Sequence, residues 1–142
     1  MKTVKQLLST KSAQIFSVSE HTSVLDALKV MMEKNISALL VMEGQQLKGI
    51  FTERDYARKI VLHGKSSADT AVQDVMTANP ITVLLSDTID FCMGLMTDKH
   101  IRHLPVLEGD QLQGMVSIGD VVKFIIEDQQ QTISQLEHYI SS

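Results

Sequence analysis

The sequence predicts an α+β fold made of two copies of one β-α-β-β-α unit, with the sheets of the copies packed against each other. The chain aligns with itself without a gap at a displacement of 65 residues, the distance from Gly49 to Gly114 and from Asp55 to Asp120. Each copy alternates short β-rich runs with stretches that carry apolar residues at helical spacing. A polar segment, residues 63–71, separates the copies. Because stacked repeats need about three copies, the pattern indicates an internal duplication rather than a solenoid.

The first long helix of each copy is predicted from an apolar stripe. Thr22 is placed to cap this helix in the first copy, since threonine is favoured at an N-cap. The residues expected on the buried stripes are Val24, Leu28, Met31 and Met32 in the first copy, and Ile89, Cys92, Met93 and Met96 in the second. Each helix can therefore bury one stripe.

Two β-rich runs follow each of these helices. Residues 39–42 and 47–51 are joined through EGQQ, and residues 104–107 and 112–116 through EGDQ, which is typical of a tight hairpin centred near a glycine. A second helix is expected from about Glu53 to Leu62, and another from about Ile118 onward. The leaders VKQLL and VQDVM also correspond, but their displacement, from Val4 to Val72, is larger than that of the rest of the repeat. The loop after the first leader is therefore three residues longer than the loop after the second.

Composition and charge exclude several classes of protein. The chain is 44% hydrophobic and 21% charged, which suits one globular domain. Its net charge is -4 and it has no run of lysine or arginine, so we expect neither a nucleic-acid surface nor a membrane surface. Cys92 is the single cysteine, which rules out an internal disulfide and favours a reducing compartment. We therefore expect a cytoplasmic protein.

The residues that carry chemistry lie where the third strand of each copy meets the second helix. Residues 49–55, GIFTERD, and residues 114–120, GMVSIGD, both place a hydroxyl three positions before an aspartate. Thr52 and Ser117 are placed as N-caps, so backbone N–H groups beside them form a candidate anion site. Asp55 and Asp120 can then accept the hydroxyls of a ribose. The same pattern is also typical of a capping box, which needs no ligand.

These turns, the strands ISALLV and IRHLPV, the two EG.QL.G hairpins and the segment VMTANPITV resemble a tandem pair of CBS domains, the Bateman module named after cystathionine β-synthase. The resemblance implies a first motif with a leader helix over residues 1–66, a second over residues 67–128, and a helical extension over residues 129–142. It also implies binding of an adenosine-containing ligand, AMP before NAD or ATP, with ADP and S-adenosylmethionine as further candidates.

The resemblance implies, in addition, that each ligand cleft combines residues of both copies. The first site would contain Thr52, Arg54, Asp55, Ile81, Arg102 and His103. The second would contain Ser117, Gly119, Asp120, Phe16, Ser37 and Ala38. The two arginines and the histidine of the first set suit phosphate, whereas the second set is expected to have room but little charge. Glu53 would repel a phosphate and is expected to point to solvent.

We therefore interpret the chain as a regulatory adenine-nucleotide sensor that acts on a separate protein and forms a homodimer. The alternative is a ligand-free dimerisation scaffold. Catalysis is not expected, because no nucleophile with an adjacent base and no paired catalytic carboxylates are evident. A metal site at His100 and His103 is not expected either, because no second cluster of cysteine or histidine accompanies them.

The end of the chain predicts a helix that continues past the second motif. Ile133, Leu136 and Ile140 form a narrow apolar stripe on this extension. Because such a stripe is costly to leave in water, we expect it either to cover a partner chain or to fold back on its own domain.

Overall fold

Two small sheets, each carrying helices, form the framework of the computed structural model, which describes residues 2–11 and 14–141. In chain order the elements are α1 (Val4–Ser9), β1 (Ser17–Ser19), α2 (Val24–Lys34), β2 (Ala38–Glu43), β3 (Gln46–Thr52), α3 (Glu53–Asp55), a π-helical segment (Tyr56–Val61), a 3₁₀ turn (Val72–Asp74), β4 (Thr77–Ala78), β5 (Val83–Leu84), α4 (Ile89–Lys99), β6 (His103–Glu108), β7 (Gln111–Ser117) and α5 (Ile118–Ser141). The sheets have the strand orders β1-β2-β3-β4 and β5-β6-β7. The predicted α+β class and the β-α-β-β-α order of each copy are confirmed.

One tight hairpin forms the centre of each copy. Glu43 pairs with Gln46, so the first loop consists of two residues. Gly44 and Gly109, which open the two loops, have φ angles of 59° and 61°. Glycine adopts this left-handed conformation without steric cost. The glycine-centred hairpins are therefore confirmed.

The helices α2 and α4 have equivalent ends. The Ser23 hydroxyl accepts a hydrogen bond from the backbone N–H of Asp26 at 3.1 Å. Ser23 is thus the N-cap of α2, and the predicted cap, Thr22, is wrong by one residue. At the other ends, Asn35 and His100 both adopt the left-handed conformation with φ of 55°. The repeat is preserved down to the backbone conformation of these C-caps.

The buried stripes of α2 and α4 differ from the prediction at one methionine each. The buried residues are Val24, Ala27 and Met31 in α2, and Ile89, Cys92 and Met96 in α4. Met32 is 80% exposed and Met93 is 37% exposed. Eight residues of helix bring Met32 about 80° around the axis from Val24, so it has turned away from the sheet.

The leader segments are exchanged between the copies. Val4 and Leu7 of α1 are fully buried in the core of the second copy. Val72 and Val75 of the second leader are fully buried in the core of the first copy. Each hydrophobic core is therefore completed from the other half of the sequence, and the leaders cross the predicted division at residue 66.

The two repeated glycines allow this exchange. A Cβ atom on Gly49 would lie 2.7 Å from the carbonyl oxygen of Thr77, beside the leader of the second copy. A Cβ atom on Gly114 would lie 3.3 Å from the side chain of Leu8 in α1. Both glycines thus accept a close approach by the leader of the other copy.

The predicted packing of sheet on sheet is present as a small apolar cluster. Ala38, Leu40 and Ile50 of the first sheet are buried in it, and Leu112 and Met115 of the second sheet pack against them. In the repeat, β2 corresponds to β6 and β3 corresponds to β7. The cluster therefore holds the two equivalent hairpins together. The ligand clefts predicted from the sequence open beside it.

Candidate functional site

The first cleft, here called the Asp55 cleft, is a cavity of about 410 Å³ between the two copies. Its lining includes all six residues predicted for the first site: Thr52, Arg54, Asp55, Ile81, Arg102 and His103. The first three lie at the junction of strand β3 and helix α3, and the last two lie at the start of strand β6. The structure thus brings together residues that are separated by about fifty positions in the chain. Ile50, Pro80 and Ile101 add an apolar wall.

The Asp55 carboxylate is almost fully engaged by its own chain. Its Oδ2 accepts hydrogen bonds from the backbone N–H of Thr52 at 3.0 Å and from the Thr52 hydroxyl at 3.1 Å. Its Oδ1 accepts from the Thr77 hydroxyl at 3.2 Å and from Lys59 Nζ at 3.1 Å. A carboxylate has about four acceptor positions, so these four donors leave little capacity. The capping box predicted as the alternative is therefore formed, and a ribose would have to exchange with one of these donors.

The cationic groups of the Asp55 cleft are the two arginines rather than the histidine. Arg54 Nη1 donates to the carbonyl oxygen of His100 at 2.6 Å, which links the copies. Burial lowers the pKa of His103, and the neighbouring cations Arg102 and Lys11 lower it further, while Asp120 opposes them. His103 is thus held neutral near pH 7. A phosphate in this cleft would meet the charges of Arg54 and Arg102.

The second cleft, called the Asp120 cleft, is a cavity of about 550 Å³. Five of the six residues predicted for it line it: Phe16, Ser37, Ala38, Ser117 and Asp120. Gly119 does not. It lies on the outer side of α5, in a groove with Val122 and Ile126. Gly119 was assigned to the ribose site because it occupies the repeat position of Arg54 in the first copy. Helix α5 begins at Ile118, and its next residue, Gly119, already lies on the outer side of the helix.

Lys11 is the residue of the Asp120 cleft that the sequence did not predict. Its Nζ donates to Asp120 Oδ2 at 2.6 Å and to the carbonyl oxygen of Met115 at 2.9 Å. The expectation that this cleft carries little charge is therefore wrong. Lys11 follows the first leader, where the two copies differ in length, so no repeat position could reveal it. Its only sequence signal is a single positive charge after α1.

The Asp120 carboxylate is less enclosed than that of Asp55. Burial raises the pKa of Asp120, but the hydrogen bonds from Lys11 and Ser117 outweigh this effect and hold the pKa below its usual range. The backbone N–H of Ser117 donates to Oδ2 at 2.9 Å. The hydrogen bonds from Lys11 Nζ and from the backbone N–H of Ser117 both reach Oδ2.

A thin wall separates the two clefts. The Ser37 hydroxyl lies 3.3 Å from His103 Nε2, and both residues line both cavities. Glu53 is exposed but also lines both cavities. Its expected orientation to solvent, away from a phosphate, stays a prediction. The residues assigned to separate sites from the sequence, Ser37 and His103, are thus direct neighbours.

A metal cluster and a membrane-spanning helix are both absent from the described residues. Residues 2–11 and 14–141 contain no group of three or more histidine, cysteine, aspartate or glutamate side chains placed to hold a metal ion. Over the same residues, no helix has the length and apolar character needed to cross a membrane.

Several solved structures share this architecture. A CBS-domain protein from Burkholderia ambifaria MC40-6 is 50% identical, with a TM-score of 0.87, and the match covers 90% of this chain and 96% of that one. CBSX2 in complex with AMP is 24% identical with a TM-score of 0.76, over 91% and 99% of the two chains. The CBS domain pair of MJ0100, in complex with 5′-methylthioadenosine and S-adenosyl-L-methionine, is 23% identical with a TM-score of 0.78, over 90% and 98%. At such identities the last two show the fold alone.

The sequence comparisons agree with the fold. CBS domain-containing protein CBSX3, mitochondrial, of Arabidopsis thaliana is 45% identical over 123 residues, which are 83% of this chain and 60% of that protein. The chain thus spans about 60% of the length of this relative. The CBS domain family model matches residues 4–62 and 72–127, which are the two copies. The chain belongs to the CBS-domain family, as a tandem pair.

Proposed function

We propose that this CBS pair is a regulatory module that binds an adenine nucleotide and acts on a separate protein. The observation that carries the proposal is the presence of two cavities between the copies, each with an aspartate at a helix start and a wall from the other copy. The complexes of CBSX2 with AMP and of MJ0100 with S-adenosyl-L-methionine support it, because they place adenosine compounds on the same fold.

In the Asp55 cleft, the proposed ligand places its ribose on the Asp55 carboxylate. A ribose hydroxyl would replace the contact from the Thr77 hydroxyl, which is a neutral donor at 3.2 Å and is therefore among the weaker of the four. The adenine ring would pack against Ile81 and the neighbouring apolar wall, and the phosphate would lie toward Arg54 and Arg102. AMP fits this arrangement before NAD or ATP, because two arginines match one phosphate group.

In the Asp120 cleft, the proposed ligand meets Lys11 first. Ribose binding at Asp120 would loosen the 2.6 Å contact between Lys11 Nζ and Oδ2, and the released ammonium would then be available to a phosphate. This cleft would consequently accept a nucleotide only when the ligand gives new partners to both Lys11 and Asp120.

The second candidate function is a scaffold that dimerises without any ligand. The observation that favours it is the saturation of Asp55 by donors of its own chain, since the fold needs no ligand to satisfy this buried carboxylate. Enzymatic activity remains the least favoured reading, because the groups that line the clefts are explained by capping and ligand binding.

Cellular setting and assembly are part of the same proposal. We place the protein in the cytoplasm as a homodimer that regulates a separate target. Burial raises the pKa of the Cys92 thiol to about 11, so this cysteine serves packing rather than redox chemistry. The name of CBSX3 assigns that relative to mitochondria, so fractionation of cells should accompany any study of the target.

A thermal-shift panel of AMP, ADP, ATP, NAD and S-adenosylmethionine tests the proposal. A ligand at about 100 times its dissociation constant stabilises the folded state by about 2.7 kcal/mol, which raises the melting temperature measurably. We expect AMP to give a clear shift and inorganic phosphate to give none. A panel without any shift would overturn the nucleotide proposal in favour of the scaffold.

A further inference from the structure

The helix α5 carries an apolar seam that its own domain leaves uncovered. Val122, Ile126, Ile133, Leu136 and Ile140 are between 45% and 82% exposed. Every side chain from residue 131 to residue 141 is exposed, so the extension does not fold back on the described part of its own domain. The alternative in which the stripe packs on its own chain is therefore wrong for these residues. A partner must cover the seam if it is to be removed from water.

The seam has the spacing of a coiled coil. Successive positions are separated by alternating steps of three and four residues: Gly119, Val122, Ile126, Gln129, Ile133, Leu136 and Ile140. From Ile126 onward, isoleucine occupies every a position, and leucine occupies the second d position. Isoleucine at a with leucine at d favours two-stranded parallel packing. The seam from Gly119 to Ile140 spans three heptads, and the one that begins at Ile133 carries this pair of residues.

The base of the seam is open to a second helix. The groove around Gly119, Val122 and Ile126 is lined by residues of α5 only, so no other described element overhangs it. The position of a Cβ atom on Gly119 meets only the Ser117 hydroxyl, at 3.7 Å. A glycine here permits the close approach of another backbone. Gly119, which does not reach the Asp120 cleft, thus lies where a partner helix would begin.

We propose that α5 of a second copy of this chain packs in parallel against this seam, forming a short two-stranded coiled coil. In parallel register the polar residue Gln129 faces its own counterpart, so no isoleucine is placed opposite an amide. Lys123 would flank Ile118 of the partner helix and Glu137 would flank its Thr132, so no like charges meet across the seam. An antiparallel pair would instead place Gln129 opposite Ile133.

The attachment of α5 to its domain is compatible with this arrangement. Val121 and Ile125 face the core of the second copy, about a quarter turn around the helix from the seam. A two-fold axis parallel to the helices therefore places the two domains on opposite sides of the coiled coil. The ion pair between Lys2 and Asp128, with an N–O distance of 3.3 Å, marks where α5 leaves the domain. The side chains of residues 131–141 beyond it are exposed.

Cross-linking through a single introduced cysteine tests both pairing and orientation. Cys92 is buried, so a new thiol is the reactive one. We expect Leu136→Cys to form a disulfide-linked dimer under mild oxidation without nucleotide, because d positions face each other in a parallel pair. The matched control is Gln131→Cys, on the opposite side of the helix, which should remain unlinked. Failure of Leu136→Cys to link, or linking only when it is mixed with Ile126→Cys, would overturn the parallel pair.

Light scattering supplies the second measurement. Ile133→Asp should raise the dimer dissociation constant by at least about tenfold, and truncation after Asp128 should do the same, while Gln131→Asp should not. The residues changed are exposed and lie outside the cores of both copies, so the circular dichroism of the folded domain should persist apart from the loss of tail helix. An unchanged mass in Ile133→Asp would contradict the proposal. Because all samples lack nucleotide, this result is independent of ligand binding.

Discussion

The two clefts occupy equivalent positions in the repeat, yet their carboxylates are held differently. Asp55 is 6% exposed and accepts four hydrogen bonds, one of them from Lys59 on its own helical segment. Asp120 is half-buried and is paired with Lys11, which follows the exchanged leader and lines the cavity. The two copies thus keep the same capping aspartate, but the lysine that contacts it comes from different parts of the chain. In the Asp55 cleft, Arg54 donates to the carbonyl oxygen of His100, whereas in the Asp120 cleft the cation Lys11 pairs directly with the aspartate.

The largest expected difference between the copies lies at the glycines that receive the leaders. Gly49→Ala would push a Cβ atom against the backbone oxygen of Thr77 and should lower the free energy of unfolding by about 2–3 kcal/mol. Gly114→Ala would meet only the flexible side chain of Leu8. Replacing a strand glycine gains roughly 0.5–1 kcal/mol of conformational entropy, so this second variant should stay near the wild type. Urea denaturation measures both, and equal losses would show that the two leader contacts are equally rigid.

A smaller difference is expected when the carboxylates are removed without ligand. Asp55→Ala deletes a capping box and leaves Lys59 without its buried partner, so it should cost about 1–2 kcal/mol of stability. Asp120→Ala should cost less, because the Asp120 side chain is 27% exposed against 9% for Asp55, so water screens its interactions more. Thermal unfolding in nucleotide-free buffer makes this comparison. A greater loss in Asp120→Ala would mean that the leader ion pair, rather than the buried cap, stabilises the interface between the copies.

The response to phosphate should also separate the clefts. In an Asp120→Ala background, Arg54→Gly should weaken ATP or ADP binding by roughly threefold to tenfold and leave adenosine nearly unaffected, since only the phosphates meet this guanidinium. The loss should shrink at high salt, which screens the interaction. Calorimetric titration of both ligands at two salt concentrations gives the answer. Equal losses for adenosine and ATP would refute a phosphate role for Arg54.

The smallest expected effect is a pH dependence that belongs to the Asp120 cleft. The pKa of Asp120 is lowered in the fold, so its contribution to stability is present above the unfolded value of about 3.9 and is lost as the pH falls through the folded value. Lys11→Met should remove about 1 kcal/mol or less of stability at pH 7 and progressively less toward pH 3. Urea titrations at several pH values test this.

His103 adds a second pH dependence of stability, which has to be separated from that of Asp120 in the same experiment. Its pKa is also lowered, by burial first, so its neutral form adds stability that is lost as the pH falls below about 6.5. His103→Gln should remove this second pH dependence and leave the one below pH 4 in place. A stability difference between wild type and Lys11→Met that is constant with pH would show that Lys11 acts through packing instead of through Asp120.

Much of this architecture was predictable because duplication doubles each local signal. The hairpin glycines Gly44 and Gly109, the capping pairs and the order of the elements along the chain all follow from short-range rules that apply twice. The exchange of the leaders was not predictable, since Val4 and Val72 have the same apolar character whichever core they enter. Lys11 was missed for the same reason: it lies in a segment where the copies differ in length, and its partner is more than a hundred residues away.

The central claim is that the two clefts are separate nucleotide sites built on Asp55 and Asp120, and calorimetric titration of AMP tests it most directly. Each carboxylate would accept charge-assisted bonds from ribose worth about 1.5–3 kcal/mol, so Asp55→Ala and Asp120→Ala should each weaken one site by roughly tenfold to more than a hundredfold. The double variant should bind no AMP in the micromolar to millimolar range. Unchanged affinity and stoichiometry in both single variants would contradict the account and leave these aspartates as helix caps alone.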